Sequence, residues 1–279
     1  MPDCSRPDPT TAAWHASLRL RFADDAGTTR LVERAHSGPL RVQKPLYPEG
    51  PGICHAIVIH PPGGVVGGDC LTVDAAAGAG SHAFVTTPGA AKWYRANGKV
   101  SRQEVRIETG AGAAFEWMPQ ETIFFDDTNV MLDHDVQLGA GARYIGSEIL
   151  CFGRRASGEA FRRGVIRQRT RIRSAGKLVW WEQGAIDGAG TAMHSQFGLV
   201  GASVCATLIG VGAPVPANLI AAMRALDPAL ALSQVKSVFV GRYLCDDSET
   251  ARRVIAALWQ ALRPHLLGCA APLPRIWNT

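Results

Sequence analysis

The sequence lacks several features that would assign it to a familiar class at once. None of its apolar stretches reaches the run of about 18 residues that crosses a membrane as a helix. No C-x-x-C, H-x-x-H or H-E-x-x-H motif occurs, so no locally encoded, tight metal site is predicted. G-x-S-x-G is also absent, and with it the sequence signal of a nucleophile elbow.

A nucleotide site is the next class that the sequence argues against. A glycine-rich loop follows Pro61-Pro62 and leads to Asp69, with glycines at Gly63, Gly64, Gly67 and Gly68. The spacing is that of a phosphate-binding loop, but Asp69 and Cys70 stand where such a loop needs Lys followed by Ser or Thr. A carboxylate there would repel a phosphate, so we predict no bound nucleotide.

The same loop nevertheless has a specified backbone path, because proline fixes φ and glycine permits φ > 0. A second break of this kind follows at Pro88-Gly89. Two interpretations stay open at this point. Either the loop lets the backbone approach a ligand closely, or it is a tight crossing between two sheets.

Composition and cysteine usage are those of an ordinary soluble protein, with 47% hydrophobic and 19% charged residues among 279. Seven scattered cysteines form no disulfide framework by spacing and suit a reducing cytoplasm. Residues 1–15 carry no secretory signal and are predicted to be a flexible leader, followed by one domain over 16–279.

The strand pattern predicts a mainly β fold. Gly-Ala-Gly occurs at 78–80, 110–112 and 139–141, each time before an alternating apolar segment. Units of about 30 residues favour stacked β-layers, and a plain antiparallel meander is the alternative. Helical periodicity enters only late, over 216–232 and 249–267, with Asp246 as the cap of the second helix. The prediction is therefore a single domain of stacked β-strands with about two α-helices near its C-terminal part.

Two charge features are candidate site residues. A strand over 165–173 places four arginines on one face: Arg167, Arg169, Arg171 and Arg173. They form either a docking strip for an acidic protein or a solvated face. No aromatic residues lie between them, so nucleic acid is not a predicted partner despite a net charge of +5. Glu182 is placed on a face with Leu178 and Trp180, where a carboxylate is either paired with an arginine or lines a polar cavity.

Several motifs together resemble the UreD (UreH) family of urease accessory proteins. They run in order along the chain: G-P-L-R-V at 38–42, H-P-P-G-G-V-V-G-G-D at 60–69, T-T-P-G-A-A-K-W-Y-R at 86–95, E-W-M-P-Q-E-T-I at 116–123, S-G-E-A-F at 157–161 and P-R-I-W at 274–277. Cys70 and Trp93 depart from the residues usual there.

The resemblance implies a cytoplasmic, non-enzymatic role. Proteins of this family bind apo-urease and, with UreF and UreG, support nickel insertion, and their strands are wound in a helical manner. No tightly bound cofactor is expected, and nickel would pass in transit. Because nickel accepts oxygen donors, Asp69 and Glu182 are the transit candidates. The alternative from another class is a hydrolase with a glycine-rich active-site loop. Neither a membrane nor nucleic acid is an expected partner.

Overall fold

A computed structural model describes residues 13–278, and most of them lie in strands. The strands in chain order are β1 (His15–Asp25), β2 (Thr28–Ser37), β3 (Arg41–Val42), β4 (Ile53–Ile59), β5 (Cys70–Ala77), β6 (His82–Thr86), β7 (Ala91–Trp93), β8 (Ser101–Thr109), β9 (Ala114–Met118), β10 (Thr122–Phe124), β11 (Thr128–Leu138), β12 (Arg143–Phe152), β13 (Gly164–Ser174), β14 (Lys177–Asp187), β15 (Val204–Val211), β16 (Leu230–Val235) and β17 (Val238–Cys245). The α-helices are α1 (Ala217–Arg224) and α2 (Ser248–Leu267). Short 3-10 turns occupy Arg155–Ser157, Thr191–Met193 and Arg275–Asn278.

The strands form two sheets between which the chain alternates. The first has the order β14-β13-β11-β8-β5-β1-β2, and the second β16-β17-β15-β12-β9-β6-β4-β3, with β10 beside β12 and β7 beside β10. From β4 to β13 each long strand lies parallel to the previous strand of its own sheet. The chain therefore winds as stacked layers, as predicted, and is not an antiparallel meander.

The Gly-Ala-Gly turns stack directly on one another. Gly80 N–H donates to Ala111 O at 3.1 Å, and Gly112 N–H donates to Ala140 O at 2.9 Å. A Cβ on Gly110 would lie 2.5 Å from the backbone N of Ala79, so this position cannot carry a side chain. The repeat in the sequence is thus a requirement of close backbone contact between layers.

The two sheets differ in how they are buried. The first sheet packs one face on the core and leaves the other to solvent, so its strands alternate, as Leu18, Leu20 and Phe22 show in β1. The second sheet is covered on both faces, by the first sheet and by α2, and all five residues of β9 are buried. This difference explains why the strands of the second sheet are almost continuously apolar.

The predicted helix over 216–232 is wrong in its second half. Helix α1 ends at Arg224, and Leu230–Val235 is the edge strand β16. The side chain of Asp227 accepts from Ala229 N–H at 2.9 Å and turns the chain before that strand begins. Leu230 and Leu232 are buried and their neighbours are exposed, which is the two-residue period of a strand.

Three smaller expectations are also corrected. The N-terminal cap of α2 is Asp247, whose carboxylate accepts from Thr250 N–H at 2.8 Å, while Asp246 binds Ser203 N–H at 3.0 Å. A bulge next to Arg173 takes Leu178 off the face of Trp180. Cys70 is disulfide-bonded, which the scattered spacing did not predict. The leader predicted for 1–15 lies outside the described residues up to position 12, and β1 begins at His15.

Candidate functional site: a polar cavity between the sheets

A cavity of about 490 Å³ lies between the two sheets. The loops over 60–65 and 87–92 line one end of it. Its walls are mostly apolar side chains such as Val105 and Ile209. A few polar side chains also line the cavity: Gln103, His134, Tyr144, Glu148, Gln168 and Thr207. A pocket of this kind, with few converging polar groups, is the usual form of a ligand site.

His134 and Tyr144 meet across the cavity. His134 Nε2 lies 3.0 Å from the Tyr144 hydroxyl, joining β11 of the first sheet to β12 of the second. Burial lowers the pKa of His134 to about 4, so the imidazole is neutral at pH 7. Gly146 makes this contact sterically feasible, because a Cβ there would overlap the Tyr144 hydroxyl.

Glu148 is the ionisable group best suited to act in the cavity. The Gln168 side-chain amide donates to its carboxylate. Burial raises the pKa of Glu148 to about 7, and the charge of Glu182 adds to the effect against the lowering influence of Gln168 and Arg242. The carboxyl group therefore exchanges a proton near neutral pH, where it can also accept a cation in place of that proton.

A second, smaller hollow of about 380 Å³ borders the same strands near β14. It shares part of its lining with the cavity: Leu132, Asp133, Gln168 and Arg169. Its remaining wall includes Gln183, Gly184 and Ala185 of β14. The two hollows thus adjoin through β11 and β13 of the first sheet.

A buried ion-pair network lies on the other side of the second sheet, below α2. Glu116 is fully buried and accepts hydrogen bonds from His82 at 2.8 Å, Trp259 at 2.7 Å and Arg263 at 2.9 and 3.0 Å. Arg263 also donates to Glu49. Burial alone would raise the pKa of Glu116, but the bond from His82 and the charge of Arg263 outweigh it and lower that pKa. The network fastens α2 to the sheet.

Asp69 is buried, and backbone groups occupy its carboxylate. Oδ1 accepts from Trp14 N–H at 2.9 Å, and Oδ2 accepts from Val66 N–H at 3.0 Å. It lies near His60, whose pKa is lowered by burial and raised in part by the Asp69 charge. These contacts give Asp69 a role in holding its own loop. Its predicted role in nickel transit stays a prediction.

Glu182 forms an ion pair with Arg242, joining β14 of the first sheet to β17 of the second. Of the two alternatives set by the sequence, arginine pairing is the arrangement present, and Glu182 does not line the cavity. Because Glu182 does not line the cavity, no contact there tests its predicted transit role, which also stays a prediction.

The four arginines of β13 lie on the solvent face of the first sheet, as their alternation predicted. Arg169 pairs with Asp133 at 2.5 Å, and Arg171 and Arg173 pair with Asp135 of the neighbouring strand β11. Arg167 is exposed and donates to Asn129 Oδ1 at 3.1 Å. Docking by this strip stays a prediction, and its ion pairs give three of the four a structural role.

The proline- and glycine-rich loop is a tight crossing between the two sheets, which is one of the two interpretations that the sequence left open; the other, close approach of its backbone to a ligand, stays a prediction. It carries the chain from β4 in the second sheet to β5 in the first, and Gly63 and Gly64 line the cavity. A Cβ on Gly64 would lie 2.6 Å from the Tyr94 ring, and Gly68 has φ +97°. Pro88 and Gly89 border the cavity from the facing loop.

Sequence reasoning singled out the loop residues that border the cavity but missed the polar side chains that converge in it. The period of β11 contains a usable signal, because Leu132, His134 and Val136 alternate onto the inner face. Glu116 and Glu148 each stand in an apolar, buried strand, where a carboxylate needs a partner.

Within residues 13–278, no group of three or more His, Cys, Asp or Glu side chains could hold a metal ion. No helix in that range is long and apolar enough to span a membrane.

The fold and site define a class: a protein of two sheets wound in stacked layers, with an internal, mostly apolar cavity that holds a few polar groups, and with a helix packed on the outer face of the second sheet. A family model described as UreD urease accessory protein matches residues 15–278. The chain therefore belongs to the UreD family of urease accessory proteins, as the motifs indicated.

Named relatives agree with this assignment over nearly their whole length. The chain is 57% identical over 270 residues to the urease accessory protein UreD of Janthinobacterium sp. (strain Marseille), covering 95% of this chain and 91% of the relative. It is 50% identical over 271 residues to UreD of Nitrosospira multiformis, covering 95% and 97%. UreD of Dechloromonas aromatica is 45% identical over 274 residues, covering 96% and 95%.

Proposed function

We propose that this chain is a non-enzymatic scaffold and metallochaperone that binds apo-urease and, with UreF and UreG, supports nickel insertion in the cytoplasm. The cargo would be a nickel ion in transit, with no cofactor held tightly. Family membership supports the accessory role. The cavity between the sheets, with a few polar groups that converge in it, is the observation that carries the transit role.

The chemistry of the cavity suits weak, transient binding of a divalent cation. Glu148 supplies an oxygen donor whose proton leaves near pH 7, and His134 is neutral at that pH. Nickel accepts both oxygen and imidazole donors. Gln168 keeps the carboxylate oriented without adding a positive charge that would repel the ion.

The layout of the larger cavity supports a route along the inner face of the first sheet. The larger cavity begins at the loops over 60–65 and 87–92, and the smaller one reaches the strand β14 at Gly184. The paired strands β11 and β13, including Gln168 and Arg169, form the wall between them. An ion entering at the loops would meet His134 and Glu148 inside the larger cavity.

Glu148→Gln tests the transit role, since the amide has a similar size but carries no charge. We expect the variant to assemble with apo-urease, UreF and UreG as the parent does, and to activate urease several-fold less at limiting nickel. Glu33→Gln is the matched control, because Glu33 is an exposed carboxylate on the edge strand β2.

Two outcomes separate the parts of the proposal. Normal activation by Glu148→Gln at limiting nickel would remove the cavity route and leave the scaffold. Failure of the unmodified chain to co-purify with apo-urease, or turnover of a substrate by the isolated chain, would remove the scaffold itself.

A further inference from the structure

The two edges of the first sheet are protected to different extents. At one end, β2 carries several charged residues, and a bulge follows Arg21 in its pairing with β1. At the other end, β14 is eleven residues long, and between 178 and 186 its only charge is Glu182, which points inward to Arg242. Natural proteins usually guard such edges with charges, prolines or bulges, because a bare edge pairs with other chains.

The register shows which backbone groups face outward from β14. Gly188 N–H donates to Gly164 O at 3.0 Å, so these two residues form a hydrogen-bonded pair. Hydrogen-bonded pairs alternate along an antiparallel ladder, which places Gly184 with Gln168 in a bonded pair. Trp181, Gln183 and Ala185 then direct both N–H and C=O away from β13. No strand within residues 13–278 pairs with that side.

Large apolar side chains are exposed next to this edge, and arginines lie beside them on β13. Trp181 is 61% exposed and Leu178 is 49% exposed, on the solvent face beside the β13 arginines. On that face four guanidinium groups, those of the arginine strip, neighbour two carboxylates, Asp133 and Asp135. The smaller hollow lies here too, between Arg167 and Gln183.

We infer that the outward edge of β14 binds an extended, acidic segment of a partner protein as an eighth strand of the first sheet. The unpaired N–H and C=O groups of Trp181, Gln183 and Ala185 would supply the main-chain hydrogen bonds. The excess of arginine over carboxylate selects an acidic segment. It also disfavours a second copy of this chain, which would bring its own arginines to the same edge.

The inference rests on the proposed assembly with apo-urease, UreF and UreG, and those proteins are the probe. Gln183→Pro removes one outward N–H, and edge strands tolerate proline at such positions. Gln183→Ala is the matched control, since it removes the same side chain and keeps the N–H. With the purified partners, we expect Gln183→Pro to weaken binding by about tenfold or more, and Gln183→Ala to stay within about twofold.

Charge is tested separately at Arg167. Arg167→Glu should weaken the same interaction, while Arg167→Lys should retain it, and increasing salt should reduce the difference. Circular dichroism and thermal unfolding of each variant identify any that fail to fold. A proline variant at Ala185, which also faces outward, replaces Gln183→Pro if that variant does not fold.

The outcomes are distinguishable. If the unmodified chain binds none of the three partners, the proposed function fails first. If it binds and folded Gln183→Pro binds equally well, the edge inference is overturned and the proposed function stands. If the isolated chain dimerises in sedimentation experiments and Gln183→Pro abolishes the dimer, the occupant is a second copy and the acidic partner is wrong.

Discussion

Glu148 makes a prediction about stability that does not depend on nickel or on any partner. Its pKa is raised from 4.5 to about 7, mainly by burial. Between these two values the folded protein holds a proton that the unfolded chain releases. Raising the pH through this interval therefore favours the unfolded state. At about 1.36 kcal/mol for each tenfold change in proton affinity, the loss of stability is about 3 kcal/mol.

Glu148→Gln removes this titration and keeps a side chain of similar size. Relative to the parent, the variant should become more stable as the pH rises from 4.5 to 7. The gain in unfolding free energy should reach about 3 kcal/mol above pH 7 and stay constant there. His134 titrates in the opposite sense, because its pKa is lowered to about 4 and its contribution increases as the pH rises. Both proteins contain His134, so its contribution cancels in the difference.

The assay is urea unfolding of parent and variant at pH 5 and pH 8, compared at each pH by linear extrapolation. Glu33→Gln, at an exposed position, should differ from the parent by less than about 0.5 kcal/mol at both pH values. A difference between Glu148→Gln and the parent that is the same at pH 5 and pH 8 would refute the burial argument. A difference in unfolding free energy that decreases as the pH rises would mean that the pKa of Glu148 is lowered in the folded protein and not raised.

Substitutions at three further positions test other contacts. Gly146→Ala should cost about 1–3 kcal/mol in thermal unfolding, because the added Cβ overlaps the Tyr144 hydroxyl; a neutral result would mean that the ring moves freely. Glu116→Ala should cost about 3–5 kcal/mol, because Arg263 stays buried with less compensation, and a loss below 1 kcal/mol would contradict the network. Asp69→Ala should cost about 2 kcal/mol by leaving two amides without acceptors, and Asp69→Asn less. An Asp69→Ala variant as stable as the parent would contradict the loop role, and normal activation of urease by both variants at limiting nickel would remove the transit role.

Local sequence patterns predicted the winding of the chain well. The Gly-Ala-Gly turns at 78–80, 110–112 and 139–141 could be recognised because each stacks on the next through its own backbone. The alternation of buried and exposed residues in β1 and β13 is equally local, because one face of the first sheet is exposed to solvent. The late helix α2 was found because its buried positions repeat at three and four residues.

Long-range partners could not be predicted in the same way. Glu182 and Arg242 are 60 positions apart and meet only because β14 faces β17 across the core. The contact of His134 with Tyr144 joins two sheets, although the sequence puts them ten residues apart. The bulge that moves Leu178 is a property of the β13–β14 pairing and leaves no mark in either strand alone.

The position of α2 in the chain has a consequence for synthesis. The outer face of the second sheet, with Phe84, Met118 and Ile145, is covered by a helix that begins only at Ser248. Glu116 precedes its arginine by 147 residues. A ribosome therefore completes most strands of that sheet while their apolar face is still bare and one carboxylate still lacks its counter-ion. Such nascent chains expose the surface on which aggregation starts, and a stop codon placed before α2 should yield protein that collects in inclusion bodies.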